Sequence, residues 1–160
     1  FGGNSHTLPL SLAMDFLAIT LTSLGNISER RVFYLLSNAG KDIENEIDYS
    51  IFQRIIEGIL NENRRLSTPA SIESPILFEK TIDIKGMGGS SAIKAEQVVK
   101  NIQEILAIEL ILATSLWKKK QFSYHSALFK SYLDFMAEEE TSTLKKQIKR
   151  TIAFFATKGE

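Results

Sequence analysis

The sequence predicts an all-α fold, a helical bundle, and two observations carry that reading. Apolar residues recur at three- and four-residue steps, the period of a helix with one buried face, as in Tyr49, Phe52, Ile55, Ile56, Ile59 and Leu60. Two further stretches, Pro9 to Leu24 and the run LAIELILATSL that begins at Leu106, are apolar almost all round and call for neighbours on every side.

The elements follow in order. A polar loop, Gly2 to Thr7, leads into a helix over Pro9–Leu24, with Pro9 in the first turn where its missing N–H costs nothing. Asp15 is its only charge, and Leu10, Leu12, Phe16, Leu17 and Ile19 share its apolar surface. Gly25 reads as a stop, and Asn26-Ile27-Ser28-Glu29 as the capping box of a second helix over residues 28–39 that ends at Gly40. Lys41 to Glu46 is a charged connector before a third helix, from about Asp48 to Asn61. From Glu62 to Ser91 the periodicity fails, and Pro69, Pro75 and Gly86-Met87-Gly88-Gly89 forbid a continuous helix. The expectation there is one long irregular loop at 62–91, with short extended pieces around Ile76 to Ile84; loops of this length are more often functional than idle.

Ser90 or Ser91 is expected to cap the longest helix, Ala92 to Lys118, on the order of 40 Å long. It is expected to pack centrally against Pro9–Leu24, burying Leu106 and Phe16. Lys118-Lys119-Lys120 then complements the negative end of the helix dipole and reads as a solvated terminus. Helices over Ser123–Ala137 and Ser142–Thr157 form a hairpin with Glu138-Glu139-Glu140 at its turn.

Composition narrows the function classes. With 160 residues the chain is expected to be a single α-helical domain over 1–160. Lys+Arg and Asp+Glu number 19 each, so nothing favours nucleic acid or an anionic membrane as partner. The absence of cysteine fits a cytoplasmic protein. The apolar run Ile105 to Leu116 is too short for a bilayer and contains Glu109. Phe1 is not an initiator residue, so the chain is expected to begin inside a longer one. His6 and His125 are too isolated for a metal site, and Gly86 to Gly89 lacks the Lys-Ser/Thr of a phosphate loop.

Four separated motifs carry a family resemblance. The loop GGNSHT with its following helix and Ser28-Glu29-Arg30-Arg31, then Glu62-Asn63, then Pro69-Ala70-Ser71-Ile72-Glu73-Ser74, and finally Leu106-Ala107-Ile108-Glu109 resemble, in order and spacing, the aromatic amino acid ammonia-lyases, meaning the histidine and phenylalanine enzymes. The matched region is similar to the C-terminal helical portion of that family. The resemblance implies non-oxidative elimination of ammonia from an aromatic amino acid. It also implies a methylidene-imidazolone electrophile built from an Ala-Ser-Gly tripeptide, which in the family lies upstream together with a catalytic tyrosine. No Ala-Ser-Gly occurs in these 160 residues, so no cofactor is expected in this chain.

By the same resemblance, two patches correspond to substrate-site positions. Asn4, Ser5 and His6 match the family's Gly-Asn-Phe-His loop, with Ser5 in place of the aromatic. Thr81, Ile82 and Asp83, followed by Ile84, match Gln-Glu-Asp-His or Asn-Gln-Asp-Val, and keep only the Asp. Ile82 removes a carboxylate or amide that proton transfer needs. Read without the resemblance, His6 caps the following helix, and Asp83 bonds backbone N–H groups of the glycine-rich loop. Glu109, a carboxylate in an apolar helix, needs Arg30 or Arg31, and these three read as structural polar groups. No residue is assigned a catalytic role.

Two functions remain open at this point. One is the C-terminal portion of an ammonia-lyase-like protein with a diverged site, inactive as this chain and needing an N-terminal lyase portion. The other is a self-associating helical protein of lyase ancestry. A homo-oligomer, dimer or tetramer, is expected under either.

Overall fold

The computed structural model describes residues 7–38, 50–73, 85–121, 126–137 and 143–158. Five helices and no strand occur among them: α1 (Leu8–Asn38), α2 (Ser50–Leu66), α3 (Gly88–Lys120), α4 (Ala127–Ala137) and α5 (Leu144–Lys158). The all-α expectation is met. The chain divides into two compact units, Phe1–Ile27 with Ile55–Ile102, and Ser28–Arg54 with Gln103–Glu160.

α1 corrects two expectations. It is one helix of 31 residues, about 46 Å long, and neither Gly25 nor the Ser28 capping box interrupts it. A helical glycine costs only about 1 kcal/mol relative to alanine. The cap residues are bonded elsewhere: Ser28 Oγ donates to Glu109 Oε2 at 2.5 Å, and Glu29 pairs with Arg30. Nor is the helix buried on all sides. Its buried positions are Ser11, Asp15, Ala18, Thr22, Gly25, Ser28, Glu29 and Val32, a stripe at alternating four- and three-residue steps made mostly of small and polar residues. Leu10, Leu12, Leu17 and Ile19 are exposed, and Phe16 is 71% exposed. The inward face is polar because its groups find partners on neighbouring segments, which leaves the larger apolar side chains facing out. By length and composition alone, Leu8–Ser37 is apolar enough to cross a membrane, with 28% of its most apolar window buried.

In the first unit the core comprises Ala18, Ile56, Leu60, Ala70, Ala95, Val98 and Ile102. α2 extends five residues past the expected Asn61, because Asn63 is fully buried and Ser67 N–H closes the helix on Asn63 O at 2.8 Å. The irregular stretch is therefore shorter than 62–91. Residues 67–73 form turns, α3 begins at Gly88, and Ile76 to Ile84 fall outside the described residues except as sequence. The expected cap serves another purpose: Ser91 is buried, and its Oγ lies 2.5 Å from Ser11 Oγ.

In the second unit Val32, Phe52, Ile105, Ala107, Ile108, Ile111, Leu112 and Leu116 are buried, each apolar side chain contributing about 1.5–3 kcal/mol when fully covered. Leu106, expected inside, is 36% exposed, because its neighbours on α3 take the buried positions. α4 and α5 pack as a pair around Tyr132, whose ring meets Phe154 edge-on at 5.4 Å and stacks on Phe155 at 6.3 Å. Each such pair adds about 0.5–1.5 kcal/mol beyond burial. The expected starts at Ser123 and Ser142 lie outside the described residues, as do the connector Lys41 to Glu46, Glu138 to Glu140 and His125.

Candidate functional site

The first unit gathers its polar groups where α1, α3 and the turn after α2 meet. Asp15 lies on the buried stripe one turn after Ser11, and its carboxylate faces the Pro69-Ala70-Ser71 turn. The Ala70 N–H donates to Asp15 Oδ1 at 3.1 Å, and the Ser71 N–H donates to Oδ2 at 2.8 Å. Burial pushes the carboxyl upward, but the Ser71 N–H and hydroxyl, the Ala70 N–H and the Ser91 hydroxyl outweigh it, so its pKa lies below the usual carboxylate value. The turn itself is held by Lys94 Nζ donating to Thr68 O. Thr22 Oγ1 lies 2.6 Å from Ser67 Oγ, which also donates to Ala18 O at 3.1 Å.

Thr7, the residue before α1, abuts the glycine cluster before α3. A Cβ on Gly86 would sit 2.6 Å from Leu8 N and 2.8 Å from the Thr7 carbonyl carbon, closer than real Cβ atoms approach backbone. Gly88 N–H donates to Thr7 Oγ1 at 3.4 Å. The glycines are thus required by a close approach of two backbone segments. Asn4, Ser5 and His6 directly precede Thr7 in the sequence, and Thr81, Ile82 and Asp83 precede Gly86 by three to five residues. All six lie outside the described residues; the approach seen is that of Thr7 to Gly86.

A second cluster in the same unit joins α2 to α3. Asn101 Nδ2 donates to Asn63 Oδ1 at 2.8 Å and to Glu62 Oε2 at 3.0 Å, and Gln97 Nε2 donates to Asn101 Oδ1 at 2.9 Å. Asn63 Nδ2 is buried without a hydrogen-bond partner among the described residues. The Glu62-Asn63 motif is in this way a link between helices.

In the second unit, Arg31 Nε lies 2.7 Å from Glu109 Oε1, and Arg31 also donates to Oε2 at 3.0 Å, beside the Ser28 bond. Arg30 instead pairs with its neighbour Glu29 and lies 5.0 Å over the Phe33 ring. All four sequence motifs therefore take part in structural ties: Ser28 and Arg31 with Glu109, Glu62-Asn63 with Asn101, and Ala70 and Ser71 with Asp15. Sequence reasoning did not connect Asp15 to that turn. The signal was present, since a single carboxylate in an apolar helix needs donors.

No group of three or more His, Cys, Asp or Glu suited to a metal occurs among the described residues. Among the described residues the donor arrangement suits the positioning of backbone and helices.

The comparisons agree with this geometry. The family described as aromatic amino acid lyase matches residues 1–133. The chain is 38% identical over 121 residues to histidine ammonia-lyase of Caldanaerobacter subterraneus, covering 71% of this chain and 24% of that protein. It is 37% identical over 120 residues to histidine ammonia-lyase of Shouchella clausii, covering 70% and 24%. The structure of histidine ammonia-lyase from Trypanosoma cruzi superposes with a TM-score of 0.84 at 27% identity, over 98% of this chain and 33% of that one. Phenylalanine aminomutase of Pantoea agglomerans shares the fold, with a TM-score of 0.79 at 21% identity over 92% of this chain. The chain spans about a quarter of the length of these curated relatives. With the family match running over most of the chain and the motifs meeting one another as structural ties, the chain belongs to the aromatic amino acid lyase family.

Proposed function

We propose that this chain supplies the C-terminal helical portion of a histidine ammonia-lyase-like protein and does not eliminate ammonia by itself. The observation that carries the reading is the contact of Thr7 with Gly86, which joins the ends of the two segments bearing the substrate-site positions Asn4, Ser5, His6, Thr81, Ile82 and Asp83. In this role α1 and α3 hold the two patches, and an N-terminal lyase portion supplies the electrophile. The chain contains no Ala-Ser-Gly from which a methylidene-imidazolone could form, and Ile82 offers no group for proton transfer. The reading places the protein in the cytoplasm, without nucleic acid or membrane as partner.

The test is the ultraviolet absorbance of urocanate or cinnamate formed from histidine or phenylalanine by the purified 160-residue protein, against a heat-killed control. No product is expected. Enzyme-dependent product from this chain alone overturns the proposal.

A second reading, a self-associating helical protein of lyase ancestry, is favoured by one observation: α1 leaves the large apolar side chains of Leu10, Leu12, Phe16, Leu17 and Ile19 exposed. Either reading gives a homo-oligomer, a dimer or tetramer, with exposed apolar side chains of α1 covered. Sedimentation showing a stable monomer at micromolar concentration removes the second reading.

A further inference from the structure

Within the second unit α3 and α5 border a groove of about 270 Å³. Leu106 and Ala107 of α3 line one side with Gln103, and Ile152, Phe155 and Ala156 of α5 line the other. Leu106 is 36% exposed and Phe155 45%, so apolar surface is left open to solvent. Thr151, which also lines the groove, is engaged 3.0 Å from the Tyr132 hydroxyl, and no lining side chain holds a buried polar atom without a partner. An occupant of this groove is therefore held by apolar groups.

Charge sets the rest of its chemistry. Lys145 and Lys149 lie on the same stripe of α5 as Ile152 and Ala156, at steps of four, three and four residues. Both lysines are exposed, and neither pairs with a carboxylate among the described residues. α5 contains no acidic residue from Leu144 to Lys158, and Glu104 of α3 lies about 100° around its helix from Gln103. Along the α5 axis the lysines stand about 4.5 and 10.5 Å before Ile152, which is roughly one and two turns. Apolar and acidic groups at those separations occur together on one face of a helix. A second copy of α5 on this face would set lysine against lysine, which charge opposes.

We propose that this groove docks an acidic amphipathic helix of a partner protein, its apolar side chains seated between Leu106, Ile152 and Phe155 and its carboxylates, one and two turns away, facing Lys149 and Lys145. The apolar contact supplies the seat, and the lysines select the acidic partner over neutral and basic ones.

The test follows the fluorescence anisotropy of a fluorescein-labelled synthetic helical peptide as the intact 160-residue protein is added. The peptide carries two Leu and a Phe at the centre of one face, with Glu one and two turns away on both sides, so that either chain direction fits. Two controls replace every Glu by Gln, or the Leu and Phe by Ala. The Glu peptide is expected to saturate with a midpoint of roughly 0.1 mM, the Gln peptide to be several-fold weaker, and the Ala peptide not to bind. Raising salt from about 0.05 to 0.5 M is expected to bring the Glu peptide toward the Gln peptide. Lys145→Gln with Lys149→Gln, both exposed, is expected to erase the preference for Glu. Ala156→Trp, also at an exposed position, fills the groove and is expected to abolish binding while the thermal midpoint of the free protein is unchanged. The proposal is overturned by a Glu peptide that does not saturate, by equal binding of the Glu and Gln peptides, by a doubly substituted protein that keeps the preference, or by an Ala156→Trp protein that binds as before. Binding that emerges only when the protein is diluted to a monomer shows that a second copy occupies the groove, and overturns it as well.

Discussion

Asp15 on α1 accepts the backbone N–H of Ser71 at 2.8 Å and so anchors the turn that follows α2 to the buried stripe of α1. The bond joins residues 56 apart in the chain, and its donor is a main-chain group that no other described residue serves. Removing the carboxylate leaves two buried N–H groups, of Ala70 and Ser71, without an acceptor. Asp15→Ala is expected to destabilise the protein by about 2–4 kcal/mol in denaturant unfolding. A loss below about 0.5 kcal/mol shows that the turn finds other partners.

The same carboxylate sets a pH dependence. Its pKa in the folded protein lies below that of the unfolded chain, so the unfolded state takes up the proton first as pH falls. The stabilisation from Asp15 is complete above the unfolded value of about 4 and is lost as pH drops through the lower folded value. Unfolding free energy measured from neutral pH down to about pH 3 is expected to decline less steeply for Asp15→Asn than for the natural chain.

Glu109 serves Ser28 and Arg31 together, whereas Arg31 is half exposed, with 52% of its side chain accessible. Glu109→Ala is expected to cost about 1–3 kcal/mol, since it leaves a buried hydroxyl and a guanidinium without their acceptor. Arg31→Ala is expected to cost no more than about 1 kcal/mol, because the pair is partly screened by water. Equal losses at the two positions would show that the ion pair, and not the Ser28 bond, dominates.

Gly86 cannot carry a side chain without displacing Thr7 and Leu8. The clash is with backbone atoms, which do not rotate away, so Gly86→Ala is expected to destabilise by about 1–3 kcal/mol. Gly89 has open space at its Cβ position, and Gly89→Ala is the control, expected to be neutral or mildly stabilising within the helix. Thermal unfolding of the two variants side by side makes the comparison.

Phe16 and Ile108 separate surface from core. Ile108 is fully buried, and Ile108→Ala is expected to cost about 2–5 kcal/mol. Phe16→Ala is expected to change monomer stability by less than about 0.5 kcal/mol, because most of its side chain is exposed, and to weaken self-association if α1 is the interface. Unfolding at several protein concentrations distinguishes the two effects.

What could be read from the residues alone was the class of fold and the family. Helical periodicity in α2 and in the first half of α3 is a local property of side-chain spacing, and it survives whatever the helix packs against. The motif order Ser28 to Arg31, Glu62-Asn63, Pro69 to Ser74 and Leu106 to Glu109 is likewise written in the chain. The inward side of α1 was not legible. Hydrophobicity points to Phe16, but the helix turns Ser11, Asp15 and Thr22 inward, because Ser91, Ala70, Ser71 and Ser67 offer partners that exist only once the chain is folded. The fate of Gly25 was undecidable for the same reason, since a cost of about 1 kcal/mol ends a helix or is absorbed by it according to what the next turns bind, and here those turns hold Glu109. Local sequence determined which segments coil into helices; contacts between residues tens of positions apart decided where α1 ends and which of its faces is buried, since the energy of a buried polar group depends on a partner that the local sequence does not contain.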